Sequence, residues 1–205
     1  METKSPLQKV YYATVVVFAT LITIIALGTM MVSCEAGASV DISSSKLSSE
    51  ELIKRGDYLV NAIGCHDCHS PKIMTPNGPE PDPERLLSGF PATQPITKAN
   101  SDALKSWVLF SFDLTSAVGP WGQSFAANIT SDETGIGNWT EEQFFRAIRE
   151  GKYKGLEGSR TLLPPMPWFV YKNLTDEDLK SIFAYLKSTK PVKNIVPAPI
   201  APKDL

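Results

Sequence analysis

Both histidines of the chain, His66 and His69, and two of its three cysteines, Cys65 and Cys68, lie within five consecutive positions, Cys65-His66-Asp67-Cys68-His69. Two thiols separated by two residues can each form a thioether to a vinyl group of haem, and a histidine directly after the second is then held beneath the iron as its proximal ligand. Other chemistries use the same residue types. A thioredoxin-like redox pair wants a βαβ setting, which the sequence lacks. A four-ligand zinc site would have to use both histidines of one short loop. A disulfide between Cys65 and Cys68 closes a tiny, often redox-active loop rather than a staple. One motif therefore predicts one haem c, attached through Cys65 and Cys68 and ligated by His69.

A six-coordinate iron needs a second axial ligand, and His66 is tied to the wrong part of the loop. Methionine is the remaining candidate type. Met1, Met30 and Met31 belong to the apolar N-terminal part, and Met74 follows His69 by only five positions. Met166 lies in Leu163-Pro164-Pro165-Met166-Pro167-Trp168, where prolines fix an extended backbone that can steady a thioether without secondary structure. The sequence reading assigns Met166 as the axial ligand, a soft donor that raises the potential; the alternative is a methionine that fills core.

The elements that must position these groups are helical in pattern. Ser49 is the expected cap of a helix running through Leu52, Tyr58, Leu59 and Ile63 to the motif. Thr140 with Gln143, and Thr175 with Asp178, form capping-box patterns ahead of two more apolar stripes. A short helix is expected near Ser101–Leu109, no segment alternates as a strand should, and seven prolines between positions 71 and 95 argue against regular structure there. The 205 residues carry 20 basic and 22 acidic side chains, a net charge of −2 that argues against nucleic acid as a partner.

Residues 10–32 contain no charge, follow Lys4 and Lys9, and as a helix would span about 35 Å, enough to cross a bilayer. Three readings stay open: an uncleaved transmembrane helix, a lipoprotein signal in which Cys34 is lipidated after cleavage, or a cleaved secretory signal. All place the remainder on the periplasmic or extracytoplasmic side of a bacterial membrane. The expected organisation is an anchor or signal over 1–34, a flexible linker over 35–47, a haem domain over 48–190 and a Pro-rich tail over 191–205.

In order and type these features resemble the class I c-type cytochromes. NITSDETGIGNWTEEQFFRAIREG followed by LLPPMPWFVYKNLTDEDLKSIFAYLKS is similar to the cytochrome domains of bacterial membrane-bound alcohol and sugar-acid dehydrogenases and related respiratory carriers. The resemblance covers roughly residues 50–197 and implies an all-α cytochrome c fold, short helices wrapped around one haem. It also implies that Asn128 and Trp139 line the haem pocket near the propionates, and that Gly56 and Tyr58 of the first helix cross Phe183 and Tyr185 of the last. The function it implies is electron transfer rather than catalysis. One electron at a time would pass between a dehydrogenase or quinol-oxidising complex and an acceptor such as an oxidase, with the protein either a tethered carrier or a subunit of a larger membrane complex. The alternatives are a haem enzyme or gas sensor with an open distal site, and a mainly structural subunit.

Overall fold

The computed structural model describes residues 47–97 and 103–205, together with Leu7 and Tyr11. The chain divides into two units, Met1–Lys46 and Leu47–Leu205. Apart from Tyr11, the expected membrane segment and Cys34 lie outside the described residues, among which no helix is long and apolar enough to cross a membrane.

The second unit is built on a pair of helices from opposite ends of its sequence. Helix α1, Ser49–Ala62, starts from Ser48 and not from the expected Ser49. Ser48 has a glutamate three positions on, so its hydroxyl accepts the Glu51 N–H while the Glu51 carboxylate accepts the Ser48 N–H at 2.8 Å. From Ser49 the same reach would meet Leu52, which can return no such bond. The motif itself forms helix α2, Cys65–His69. Helix α3, Glu141–Arg149, carries the expected reciprocal box between Thr140 and Gln143. A short α4, Trp168–Tyr171, precedes α5, Asp176–Ser188. At α5 only half of the expected box forms. Thr175 accepts the Asp178 N–H, but the Asp178 carboxylate turns to the Thr175 hydroxyl and to the Arg55 guanidinium, 2.5 Å away on α1.

The all-α expectation does not hold. The described residues contain five short strands, in two antiparallel sheets. Strands β1, Lys72–Thr75, and β2, Gly78–Pro81, form a hairpin within the Pro-rich stretch; in a two-stranded sheet a proline can turn its missing donor outward, so Pro79 and Pro81 are tolerated. Strands β3, Leu109–Phe110, β4, Ser116–Gly119, and β5, Gly122–Phe125, form a meander. All four residues of β4 are buried, so the strand shows no in-and-out alternation that a sequence pattern could reveal. In place of the expected helix near residue 105 there is one 3₁₀ turn, Ala103–Lys105.

The core joins Val60 of α1, Leu179, Ile182 and Leu186 of α5, Phe144 and Ile148 of α3, and Leu87 and Ile136 from loops. The crossing of α1 on α5 requires glycine at position 56, because a Cβ there would lie 2.0 Å from the Ser181 carbonyl oxygen and 2.6 Å from Cβ of Tyr185. Tyr185 thus takes the expected place. Tyr58 does not: it is 70% exposed, and Phe183 instead stacks on Phe144 with ring centroids 5.3 Å apart. One turn of helix separates the buried Gly56 from the buried Val60, and Tyr58 lies on the other face.

Two stability predictions follow from this helix pair. Gly56→Ala should destabilise the domain by about 1–3 kcal/mol, through overpacking against backbone that cannot yield, read as a lower denaturant midpoint. Burial raises the pKa of Asp178, but the bonds from Thr175 and Arg55 outweigh burial and hold its carboxyl below the usual range. Its stabilising contribution is therefore complete above the unfolded carboxylate pKa and is lost as the pH falls through the lowered one. Asp178→Asn should flatten the acid limb of a melting-temperature-against-pH curve; an unchanged limb would refute this role.

Candidate functional site

Helix α1 delivers the chain to Cys65, and the residues after α2 fold back to hold it. The ammonium of Lys72 donates to the carbonyl oxygens of His66 and Asp67, both at 3.0 Å, and of Ser70 at 2.5 Å. A five-residue helix leaves most of its C-terminal carbonyls without intrahelical partners, and a cation placed on them satisfies several at once. The sequence reading missed Lys72, although a lysine three positions past a short helix is the signal for such a cap.

His69 is fixed from two sides. Its Nδ1 donates to the Ala127 carbonyl oxygen at 2.7 Å, which leaves Nε2 as the nitrogen with a free lone pair. Burial lowers its pKa, which favours the neutral, ligating form. Its own carbonyl accepts the Gly89 N–H at 2.7 Å. Gly89 has φ +75°, and a Cβ would lie 2.4 Å from the Ala126 carbonyl oxygen, so only glycine lets segments 87–90 and 126–129 run this closely behind the histidine. His66 points elsewhere, with Nδ1 2.8 Å from the Ser70 hydroxyl. Burial pushes the Cys65 thiol up to about 12 and raises that of Cys68, with Asp67 adding to both. Neither is a poised thiolate of the kind that thiol redox chemistry uses.

A cavity of about 530 Å³ opens beside α2, and all six residues expected at the site, Cys65, Cys68, His69, Asn128, Trp139 and Met166, line it. Its wall is mainly apolar, contributed by core residues such as Phe144, Ile148, Leu179 and Ile182. Met74 is 66% exposed on β1 and takes no part in that wall. Two cysteines, an imidazole with a free Nε2, a thioether and an apolar enclosure fit the donor set and surroundings of a covalently held haem.

Asn128 is buried with its amide fully engaged. Its oxygen accepts from the backbone N–H and hydroxyl of Thr130, and its nitrogen donates to the Thr134 hydroxyl at 3.0 Å and the Val192 carbonyl at 2.8 Å. It shapes the loop at the cavity wall. The Met166 loop is held by the second sheet. Trp121 Nε1 donates to the Ser124 hydroxyl, which donates to the Pro164 carbonyl oxygen at 2.6 Å. Nothing local in the sequence links position 124 to the methionine loop.

Four of the five basic residues between positions 146 and 160 fall into two pairs. Arg146 donates to the Gly155 carbonyl, and Arg149 pairs with Asp176 at 2.5 Å and bonds the Lys172 carbonyl, so Arg146 braces the loop after α3 and Arg149 ties α3 to the start of α5. Lys154 and Arg160 border the cavity, with the Arg160 guanidinium 4.0 Å from the centre of the Tyr153 ring. Asp132 accepts from the N–H and hydroxyl of Thr134, and among the described residues no cluster of three metal-ligating side chains occurs.

No family model matches the chain. Among curated proteins, it is 34% identical over 142 residues to the fructose dehydrogenase cytochrome subunit of Gluconobacter japonicus, 68% of this chain and 22% of that one. It is 32% identical over 139 residues to the gluconate 2-dehydrogenase cytochrome c subunit of Pantoea cypripedii, 67% of this chain and 23% of the relative. It is 31% identical over 169 residues to the cytochrome c subunit of the quinone alcohol dehydrogenase of Gluconobacter oxydans, 82% of this chain and 26% of the relative. The chain thus spans about a quarter of the length of these curated relatives. With the motif, the cavity and these relatives together, the chain carries a c-type cytochrome domain similar to those of dehydrogenase cytochrome subunits.

Proposed function

We propose that the domain is a one-electron relay in a bacterial respiratory chain, working as a subunit or tethered partner of a dehydrogenase complex. The observation that carries this reading is the convergence of Cys65, Cys68, His69 and Met166 on one apolar cavity. The dehydrogenase subunits among its relatives support it. One haem c, when bound through Cys65 and Cys68, supplies an iron that cycles between ferrous and ferric. His69 presents Nε2 because Ala127 holds Nδ1. Met166 offers its sulfur from a loop tied to β5 through Ser124. Both ligands are held by backbone and hydroxyl contacts that need not change with oxidation state, so little reorganisation opposes transfer. With both in place no position is left for a small substrate, which favours a relay over a haem enzyme or sensor.

The donor in this reading is a dehydrogenase or a quinol-oxidising complex, and the acceptor is a terminal oxidase or similar carrier. Residues 10–32, as a transmembrane helix, or a lipidated Cys34 would moor the domain to the outer face of the membrane. A linker over 35–47 would then keep it at high local concentration near its partners.

The ferric optical spectrum of the holo-protein tests the ligand assignment. Wild type should show the weak long-wavelength band of iron bonded to methionine sulfur, and its ferrous form should not bind carbon monoxide. Met166→Leu should lose the band and bind the gas; ready binding by wild type would overturn the relay in favour of an open-site enzyme or sensor. Ser124→Ala should cost about 1 kcal/mol in chemical unfolding and allow slow carbon monoxide binding, measured by stopped flow, because it frees the Pro164 carbonyl.

A further inference from the structure

The segment after α5 reads in sequence as a Pro-rich tail, but it crosses the cavity and is fastened at both ends. At its near end, Asn194 Nδ2 donates to the carbonyl oxygens of Ser88 and Phe90 at 2.7 and 2.9 Å, and its Oδ1 accepts the Ala92 N–H at 2.9 Å. The Asn194 N–H donates to the Thr134 hydroxyl at 3.0 Å. The clamp therefore grips the segment whose Gly89 backs His69. At its far end, Ile200 exchanges both backbone hydrogen bonds with Gln123, each 2.9 Å, next to the serine that holds the Met166 loop. Gly122 has no room for a side chain there, since a Cβ would lie 2.0 Å from the Ile200 carbonyl oxygen.

Between these fastenings Ile195, Val196, Pro197 and Pro199 all line the cavity. Two prolines in three positions restrict the backbone. The span bridges the histidine side and the methionine side of the site with apolar residues alone.

We propose that residues 194–200 act as a strap that excludes water from the cavity and thereby raises the reduction potential of the bound group, with Asn194 as its positioning residue. This inference rests on the haem reading given above. A centre that gains one positive charge on oxidation is destabilised in its oxidised form when water is kept away and only apolar side chains face it. Replacing the apolar wall should therefore favour oxidation without altering attachment or ligation.

The test uses holo-protein of wild type, Ile195→Ser/Val196→Ser and Asn194→Ala. Covalent haem is measured by the pyridine haemochrome, methionine ligation by the long-wavelength ferric band, and the potential by spectroelectrochemical titration. Ile195 is 70% exposed, so the double variant is expected to fold. Both variants should keep attached haem and the methionine band, while the ferrous-to-ferric ratio at a fixed ambient potential falls about tenfold, a shift of about 59 mV for one electron. Hydrogen exchange over 195–199 should quicken in Asn194→Ala. Attached haem with an unchanged potential in both variants would overturn the strap alone. Wild type without covalent haem would overturn the haem reading, and the strap with it.

Discussion

Where α1 crosses α5, the carbonyl oxygen of Ser181 occupies the place a side chain on residue 56 would need. That contact sets how near two helices from opposite ends of the domain come to one another, and the site depends on it twice. From α1 the chain passes directly into the cysteine motif, so the position of the helix fixes where Cys65 begins. From α5 come Leu179, Ile182 and Leu186, which are at once core residues and cavity wall. The Arg55–Asp178 pair braces the same junction, and the Tyr171 hydroxyl of α4 donates to the Ile63 carbonyl just past the end of α1.

Around that frame the functional side chains are placed largely by backbone atoms. Ala127 orients His69, Gly89 crosses behind it, Lys72 caps the motif helix, and Pro164 is held through Ser124. Most of these partners come from loops and short strands and not from the helices. A fold with few long elements can still hold a rigid site if its loop carbonyls are systematically engaged. Pro164, Pro165 and Pro167 assist by restricting the loop that carries Met166.

The parts legible in the sequence are those whose physics is local. Two thiols and an imidazole at fixed spacing announce their chemistry because only neighbouring residues are involved. The Thr140–Gln143 box reads correctly for the same reason. Met166 stands out through the prolines beside it. The start of α1 differs by one residue from the expectation because two serines adjoin and only the glutamate three positions after Ser48 decides between them. The strands were hidden: they are two to four residues long, and burial of both faces erases the alternation of β4. Asn194 and Ser124 carry no local mark of their roles, because their partners lie in distant segments.

The two helices that meet at Gly56 are far apart along the polypeptide, the Arg55–Asp178 pair being separated by 123 positions. Closing so long a loop costs entropy before its contacts can return any stabilisation, which slows folding of such topologies. A nascent chain that has reached only α3 therefore holds a capped first helix and a complete cysteine motif, yet lacks Leu179, Ile182 and Leu186 of α5, which complete the core around Val60. The attachment residues are thus made long before the core that will enclose them, and the last helix, not the first, decides when the domain becomes cooperative.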